Sequence, residues 1–301
     1  MTVIYEQGNC KLINHHRPVQ SFIEDDGKIV NFQLKTLLFD NFKRKQKKIS
    51  KICDETSEFM TQVENFRQAC IAQNLFSPPI EDDTKDKVKT ENIALMNKFY
   101  DCSSSLGSFH GENNLETGKI TTLNHHSYLF PPRCKFFNKK IEDLDACLLT
   151  NEANQFDFIC VDPPWENRYI KRVKKATANK QGYLMMTDDE IMAIPLENYV
   201  KKSSIVVIWC TNSESHIKMF QEQILVKWNL KLLSTWQWVK VDKHGELFCA
   251  IDGNKKPFEQ IFIATHKENE EYDKELKLNC LLFSQPSSIH SHKPPLKGKN
   301  S

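Results

Sequence analysis

The chain has 301 residues, 40% of them hydrophobic, enough for one full domain with a smaller region beside it or for two modest domains. Its 41 Lys and Arg nearly balance 39 Asp and Glu, so net charge announces no polyanionic partner and local clusters must carry any such argument. Met1 to Cys10 lacks the apolar core of a secretory signal, and no stretch approaches the roughly 18 apolar residues of a membrane span.

Residues 1–40 are of mixed pattern. Gly27 interrupts them, and Ile29 to Phe39 alternates weakly, as a strand or hairpin arm would. From Asn41 the sequence turns polar and helical. Phe42, Ile49, Ile52, Phe59, Val63 and Phe66 fall on one rough stripe, with no Gly or Pro to interrupt it. Embedded in the stripe is Lys43-Arg44-Lys45-Gln46-Lys47-Lys48, followed by Lys51. Such a run reads as a nuclear address, a polyanion-binding patch or a solvated helix face. Ser77-Pro78-Pro79 ends the helix, and the charged stretch Glu81 to Glu91 reads as a linker. A shorter apolar helix over Asn92 to Tyr100 is followed by a second linker or loop, Asp101 to Gly118, rich in Ser, Gly and Asn. These punctuations divide the chain into an N-terminal mixed region, 1–120, and a C-terminal domain, 121–301.

Beyond Phe130-Pro131-Pro132-Arg133 the pattern becomes α/β. Cys134 to Phe137 reads as a short strand and Ile141 to Leu149 as a short helix or turn. Phe156 to Val161 is β-branched and aromatic and stops at prolines, the pattern of a short buried strand. It delivers Asp162-Pro163-Pro164-Trp165. Two prolines in a row cannot continue a ladder, so the chain leaves the sheet here. The result is an acid, a rigid bend and a large ring at the carboxyl end of a strand, where open α/β sheets bind ligands. The acid can accept hydrogen bonds from a substrate amine, and the ring can stack on a flat base. The plain alternative is a strand end with a turn and a half-buried Trp.

The next stretch, Glu166 to Gln181, carries Arg168, Lys171, Arg172, Lys174, Lys175 and Lys180 against one Glu. Such a loop either tracks a phosphate backbone or is a solvated segment. Thr187-Asp188-Asp189-Glu190 reads as a helix N-terminus with a capping box, which explains these acids structurally. Pro195 ends that helix. Ser203 to Cys210 is nearly all apolar, as a central parallel strand would be, and Thr211-Asn212 follows at its carboxyl end. Ser213 to Trp228 reads as an amphipathic helix and Leu230 to Val241 as a strand, with Trp236 and Trp238 on one face as core or sheet-covering residues rather than substrate platforms. Phe258 to Thr265 and Asn279 to Phe283 complete the strands.

Alternating strands and helices imply a parallel sheet covered on both faces. Only nine glycines exist and none clusters, so neither a dinucleotide fingerprint nor a Walker loop is present. The ten cysteines are scattered without a Cys-x-x-Cys pair, which points to free thiols in the cytosol or nucleus. His290-x-His292 has no Cys or acid at ligand spacing nearby, so no metal site is expected.

Several segments together resemble the adenine-N6 methyltransferases that modify RNA and DNA with S-adenosylmethionine. They are Asp162-Pro163-Pro164-Trp165, Trp209-Cys210-Thr211-Asn212, Trp236-Gln237-Trp238-Val239-Lys240, Lys256-Pro257-Phe258-Glu259 and Ile289-His290-Ser291-His292-Lys293-Pro294. The likeness covers residues 125–296. It implies a Rossmann-like, circularly permuted methyltransferase fold in which Asp-Pro-Pro-Trp ends the fourth strand of the usual order. It also implies methyl transfer to the exocyclic amine of adenine. Within the family, Trp165-Glu166-Asn167 and the basic loop are most similar to a nuclear branch acting on 2′-O-methyladenosine in small nuclear RNA, with DNA adenine also proposed. No heterodimer partner is implied, so a monomer is expected.

By this resemblance the Asp162 carboxylate and the Pro163 carbonyl hold the two amine hydrogens, so that the nitrogen lone pair faces the methyl group. Pro163 and Pro164 fix that carbonyl because their φ is locked. Trp165 stacks on the flipped base. Lys293 pairs with the cofactor's methionine carboxylate, with His292 beside it and Asp162 at the same end. Asn167, Arg168, Lys171, Arg172, Lys174 and Lys175 contact the nucleic acid, mostly at phosphates. Asp162 need not be a strong base, so no raised pKa is expected. The family continues past Lys-Pro-Pro-Leu with a further core strand and groups for the cofactor's nucleoside. The sequence ends at Ser301 without them, so a missing C-terminal strand is expected. Two readings follow: an active methyltransferase, or a nucleic-acid-binding homologue that keeps the turn and the loop without catalysis.

Overall fold

The structure is a computed structural model that describes residues 3–13, 24–25, 28–29, 54–76, 94, 107–123, 126–148, 155–167, 171, 184–247, 249, 256–271, 276, 278–286 and 292–294. In chain order the first strands are β1 (Val3–Gln7), β2 (Cys10–Ile13), β3 (Glu24–Asp25) and β4 (Lys28–Ile29), followed by helix α1 (Asp54–Ala72). Then come β5 (Phe109–Asn113), β6 (Lys119–Leu123), β7 (His126–Phe130), β8 (Cys134–Asn138) and the short helix α2 (Leu144–Leu148). The remainder is β9 (Phe156–Val161), α3 (Asp188–Met192), β10 (Val200–Cys210), α4 (Glu214–Met219), β11 (Leu230–Lys240), β12 (Phe258–His266) and β13 (Leu281–Ser284). The basic run Lys43 to Lys48, all but residue 94 of the helix expected over Asn92 to Tyr100, and most of the Glu166–Gln181 loop lie outside the described residues.

One seven-stranded sheet has the order β1-β2-β13-β11-β12-β10-β9. β9 and β10 are parallel because the chain crosses over through α3 between them. The expectation of a wholly parallel sheet needs correction. β12 runs antiparallel to both neighbours, Ile205 facing Thr265 on one side and Trp236 facing Ile261 on the other. The segment between β11 and β12 contains no crossover helix among the described residues, so the strand returns beside its predecessor. β13 is parallel to both β11 and β2.

The division at residue 120 does not set the N-terminal stretch apart from this sheet. β1 and β2 form a hairpin across Gly8, whose φ of 59° suits the tight turn. Its second strand pairs Cys10 with Leu281. Helix α1 lays Val63, Phe66 and Cys70 on Val239, Leu281 and Phe283. Asn74, at φ 55°, ends this helix. The Leu75 amide donates to the Cys70 carbonyl at 3.0 Å and the Asn74 amide to Ile71 at 2.9 Å, a Schellman cap.

Beside this layer, on the same sheet face, α3 and α4 bury Ile191 and Phe220 against Val206, Ile208 and Phe262. α4 continues through a π turn, Phe220–Ile224, and a last turn, Leu225–Lys227. The other face carries Val207, Trp209, Trp238, Ile261 and Leu282. Trp238 is core, as expected, its indole donating to the Ser284 hydroxyl at 2.8 Å. The expectation that Phe156 to Val161 is a buried strand needs a second correction. β9 is the terminal strand of the described sheet, and Phe156 and Phe158 are 42% and 53% exposed there.

Candidate functional site

Four strands bring polar groups to one sheet edge. β9 and β10 are parallel and end in Asp162 and in Thr211-Asn212. β12 runs the other way, so its first residues, Phe258 and Glu259, lie at the same edge, where β11 ends at Lys240. A charge inside an apolar strand needs a partner, and Glu259 has two. Its carboxylate accepts from Lys240 and, at 2.9 Å, from Lys293. Lys293 also stands 3.5 Å from Asp162. Two cations and two carboxylates thus alternate in the order Lys240, Glu259, Lys293, Asp162. Aromatic faces support both cations: the Lys240 ammonium is 4.7 Å from the Trp238 ring and that of Lys293 is 5.6 Å from the Trp209 ring.

These neighbours set the ionisation of the row. Burial alone would raise Glu259, but Lys240 and Lys293 hold it down to about 2. Burial alone would lower Lys293, but Glu259 and then Asp162 keep its pKa above the ordinary lysine value. Asp162 goes the opposite way to Glu259. Burial pushes its carboxyl up, Lys293 pulls it back only in part, and the Glu259 charge adds to the rise. A raised Asp162 was not expected. The cause is desolvation at the sheet edge, with Lys293 the cation that partly offsets it among the described residues. His292, beside Lys293, is held below the usual imidazole range by desolvation and by the Lys293 charge.

The turn after Asp162 is closely tied. The Pro163 carbonyl accepts from the Trp165 amide at 2.8 Å, and the Pro164 carbonyl from the Met186 amide at 2.9 Å. Trp165 corrects an expectation. It is 4% exposed, packs with Ile191, Val206 and Phe220, and donates its indole N–H to the Trp209 carbonyl at 2.8 Å. A buried indole must satisfy its N–H, and the end of β10 offers the carbonyl. The ring is therefore a core anchor for the turn and not an open stacking platform.

His216, on α4, was not singled out by sequence. It is 9% exposed, with its ring 5.5 Å from Trp165. Its Nδ1 lies 2.6 Å from the Asp188 carboxylate and its Nε2 3.1 Å from the Glu166 carbonyl. The residue ties the turn, α3 and α4 together. Asp188 thus has a second task beside its place in the first turn of α3, whose capping box forms as expected between Thr187 and Glu190. The signal available in sequence was weak, a lone His in the first turns of an amphipathic helix.

Asn167 is described, its amide donating to the Met185 sulfur at 3.2 Å. Lys171 pairs with Glu166 at 2.8 Å. Arg168, Arg172, Lys174 and Lys175 lie outside the described residues. Asn212 donates to the Phe258 carbonyl, while its buried Oδ1 has no hydrogen-bond partner among the described residues. Also among them, no group of three or more His, Cys, Asp or Glu is placed to hold a metal ion, and no helix is long and apolar enough to cross a membrane.

Comparison with known families places residues 156–299 in a match to MT-A70. Among curated proteins, the chain is 31% identical over 194 residues to the N(6)-adenine-specific methyltransferase METTL4 of Homo sapiens, covering 62% of this chain and 39% of that protein. It is 31% identical over 179 residues to the N6-methyladenosine RNA methyltransferase MTA1 of Pyricularia oryzae, covering 56% and 46%. It is 28% identical over 186 residues to a DNA N6-methyl methyltransferase of Caenorhabditis elegans, covering 60% and 47%. The chain therefore spans 39% to 47% of the length of these relatives.

Proposed function

We propose, from the premise that residues 156–299 belong to the MT-A70 family, that this chain methylates the N6 amine of adenine in nucleic acid. MT-A70 proteins are N6-adenine methyltransferases acting on RNA or DNA, and they use S-adenosylmethionine. The observation that carries the proposal is the place of Asp162. Its side chain is 37% exposed at the carboxyl end of β9, held between Lys293 and a double-proline turn. We read the sheet as the permuted Rossmann-like methyltransferase fold. The antiparallel β12 between β10 and β11, and the acid at the end of β9, support that reading.

The residues present fit the amino-acid end of the cofactor. Asp162 offers an acceptor for an ammonium, Lys293 a cation for a carboxylate, and Asn212 a buried acceptor that has no partner among the described residues. When bound, S-adenosylmethionine supplies an electrophilic methyl group on a sulfonium. The chain's own part is to prepare the amine. An adenine amine is a poor nucleophile because its lone pair is delocalised into the ring. Asp162 accepts one of its hydrogens. The Pro163 carbonyl, oriented by the Trp165 amide, accepts the other on its remaining lone pair. The positive charge that develops on N6 is stabilised by these two acceptors. Asp162, with its raised pKa, can receive the proton that N6 releases once the new bond forms.

We take 2′-O-methyladenosine in small nuclear RNA as the first substrate and DNA adenine as the second. A monomeric enzyme in the nucleus belongs to the same proposal. The test is a methyl-transfer assay on matched RNA and DNA oligonucleotides, with N6-methyladenine read by mass spectrometry. Product on the RNA, lost in Asp162→Ala with oligonucleotide affinity kept, is the expected result. No product on either polymer while the oligonucleotide still binds would replace the enzyme with a nucleic-acid-binding homologue.

A further inference from the structure

Outside the MT-A70 match, residues 109–138 fold into two antiparallel strand pairs. β5 pairs with β8, Gly111 facing Phe136, and β6 pairs with β7, Lys119 facing Phe130. Between the pairs lies a cleft of about 240 Å³ whose walls include Phe109, Gly111, Lys119, Thr121, Phe130 and Phe136. The three phenylalanines are only partly buried. Phe130 and Phe136 stack at 4.0 Å, and Phe109 meets Phe136 edge-on at 6.1 Å. Gly111 makes room for this arrangement, since a Cβ there would stand 2.7 Å from the Phe136 ring.

The floor is fixed by Asn113, 3% exposed. Its side-chain amide donates to the carbonyls of Thr117, Phe130 and Pro131, at 2.9, 3.3 and 2.8 Å, and so joins the two pairs. The rim is basic. Residues 107–140 hold five Lys and Arg against two Glu. Arg133 pairs with Glu116 at 2.8 Å and Lys135 with Glu112 at 3.9 Å. Lys119, Lys139 and Lys140, all exposed, are the surplus.

Flat rings in a cleft with Lys119 on its wall, in a segment of net positive charge, are the chemistry that holds an unpaired base and its phosphate. We infer that this two-hairpin module is a binding site for single-stranded nucleic acid. One base stacks in the phenylalanine cleft and its phosphate meets Lys119. The inference rests on the reading of the chain as a nucleic-acid methyltransferase, and it adds a second hold on the strand away from Asp162. An aliphatic peptide or a membrane surface suits the site less, because its apolar lining is aromatic and confined to a small cleft.

The full chain is mixed with short single-stranded RNA and DNA carrying 5-iodouridine, irradiated, and its cross-linked peptides are sequenced. Cross-links within residues 109–138 are expected. In anisotropy titrations, Lys119→Glu flattens the salt dependence of binding by about one unit. Phe130→Leu, which keeps an apolar side chain but removes the ring face, weakens binding at least about fivefold. Lys119 is a surface residue, so its variant stays informative even if Phe130→Leu unfolds the module. Oligonucleotide bound and methylated, with cross-links only elsewhere and an unchanged slope in Lys119→Glu, overturns the inference and leaves the enzyme reading intact. No binding and no methyl transfer by the unaltered chain overturns both.

Discussion

Lys293 stands between two carboxylates that need it unequally. Glu259 has Lys240 as well, and its pKa is held at about 2, below its ordinary 4.5. A depressed folded-state pKa contributes stability that is complete above the unfolded value and fades as pH falls from 4.5 toward 2. Glu259→Gln should remove that acid-side loss. At neutral pH it should destabilise the protein by about 3 kcal/mol, because two partly buried lysines lose their common partner. Denaturant titrations at several pH values read both effects. Asp162 has the opposite sign, since burial raises it. It must be ionised to accept the amine hydrogen, so activity falls with pH through a limb above the ordinary carboxylate value. Asp162→Asn should cost about 10²–10³ in kcat. Lys293→Met removes the charge that lowers Asp162 and should move the acid limb to higher pH. An unmoved limb would mean that another group sets it. At this scale the sequence named Asp162 and Lys293, because an acid after a strand and a motif lysine are visible as letters. It did not name the partners. Whether Trp165 points out to a base or in to the Trp209 carbonyl depends on which neighbour offers an acceptor, and that is decided by the end of β10.

Elements succeed or fail in sequence according to how local their causes are. The capping box at Thr187 was legible because its bonds span three residues. β10, β11 and β12 were legible because their apolar runs are long. The hairpin β1–β2 was not, since its strands are short, β1 is largely exposed, and its partner β13 lies at the far end of the chain. The antiparallel sense of β12 was missed because the apolar pattern of a strand does not reveal that no crossover helix is described between β11 and β12. These distant elements share one core. Phe66 of α1 meets Phe283 of β13 in a tilted contact at 4.6 Å and stacks on Tyr5 of β1 at 5.7 Å. Phe66→Ala should therefore destabilise the sheet that carries the site, by about 3–5 kcal/mol in denaturant titrations. A loss below about 1 kcal/mol would mean that α1 is peripheral to that sheet. His216 makes the same kind of link on the other helix layer, between α4, α3 and the turn. His216→Ala should cost about 1–3 kcal/mol and loosen Glu166, raising KM for the oligonucleotide more than it lowers kcat. Equal changes in the two would leave His216 with no part in positioning the turn.

Over the whole molecule, the charge of +2 is too small to steer a polyanion, so attraction must come from clusters. Two such clusters have different settings. The module of residues 107–140 combines its surplus charge with aromatic rings. The loop from Glu166 to Gln181 carries six Lys and Arg in a stretch that leaves the Asp162 turn. Counterion release separates charge from stacking, because each phosphate neutralised adds about 0.9 to the slope of log affinity against log salt. Lys174→Ala combined with Lys175→Ala should thus flatten the slope by about one to two units. The rate at saturating oligonucleotide should stay unchanged, since phosphate contacts position a strand without touching N6. A flattened slope with an unchanged saturated rate assigns the loop to strand capture. An unchanged slope would remove it from the interface. If the slope flattened and the saturated rate also fell, the loop would have to order the Asp162 turn as well as hold the strand. That third pattern is the one to look for in Lys171, which already pairs with Glu166 one residue beyond the Asp-Pro-Pro-Trp turn.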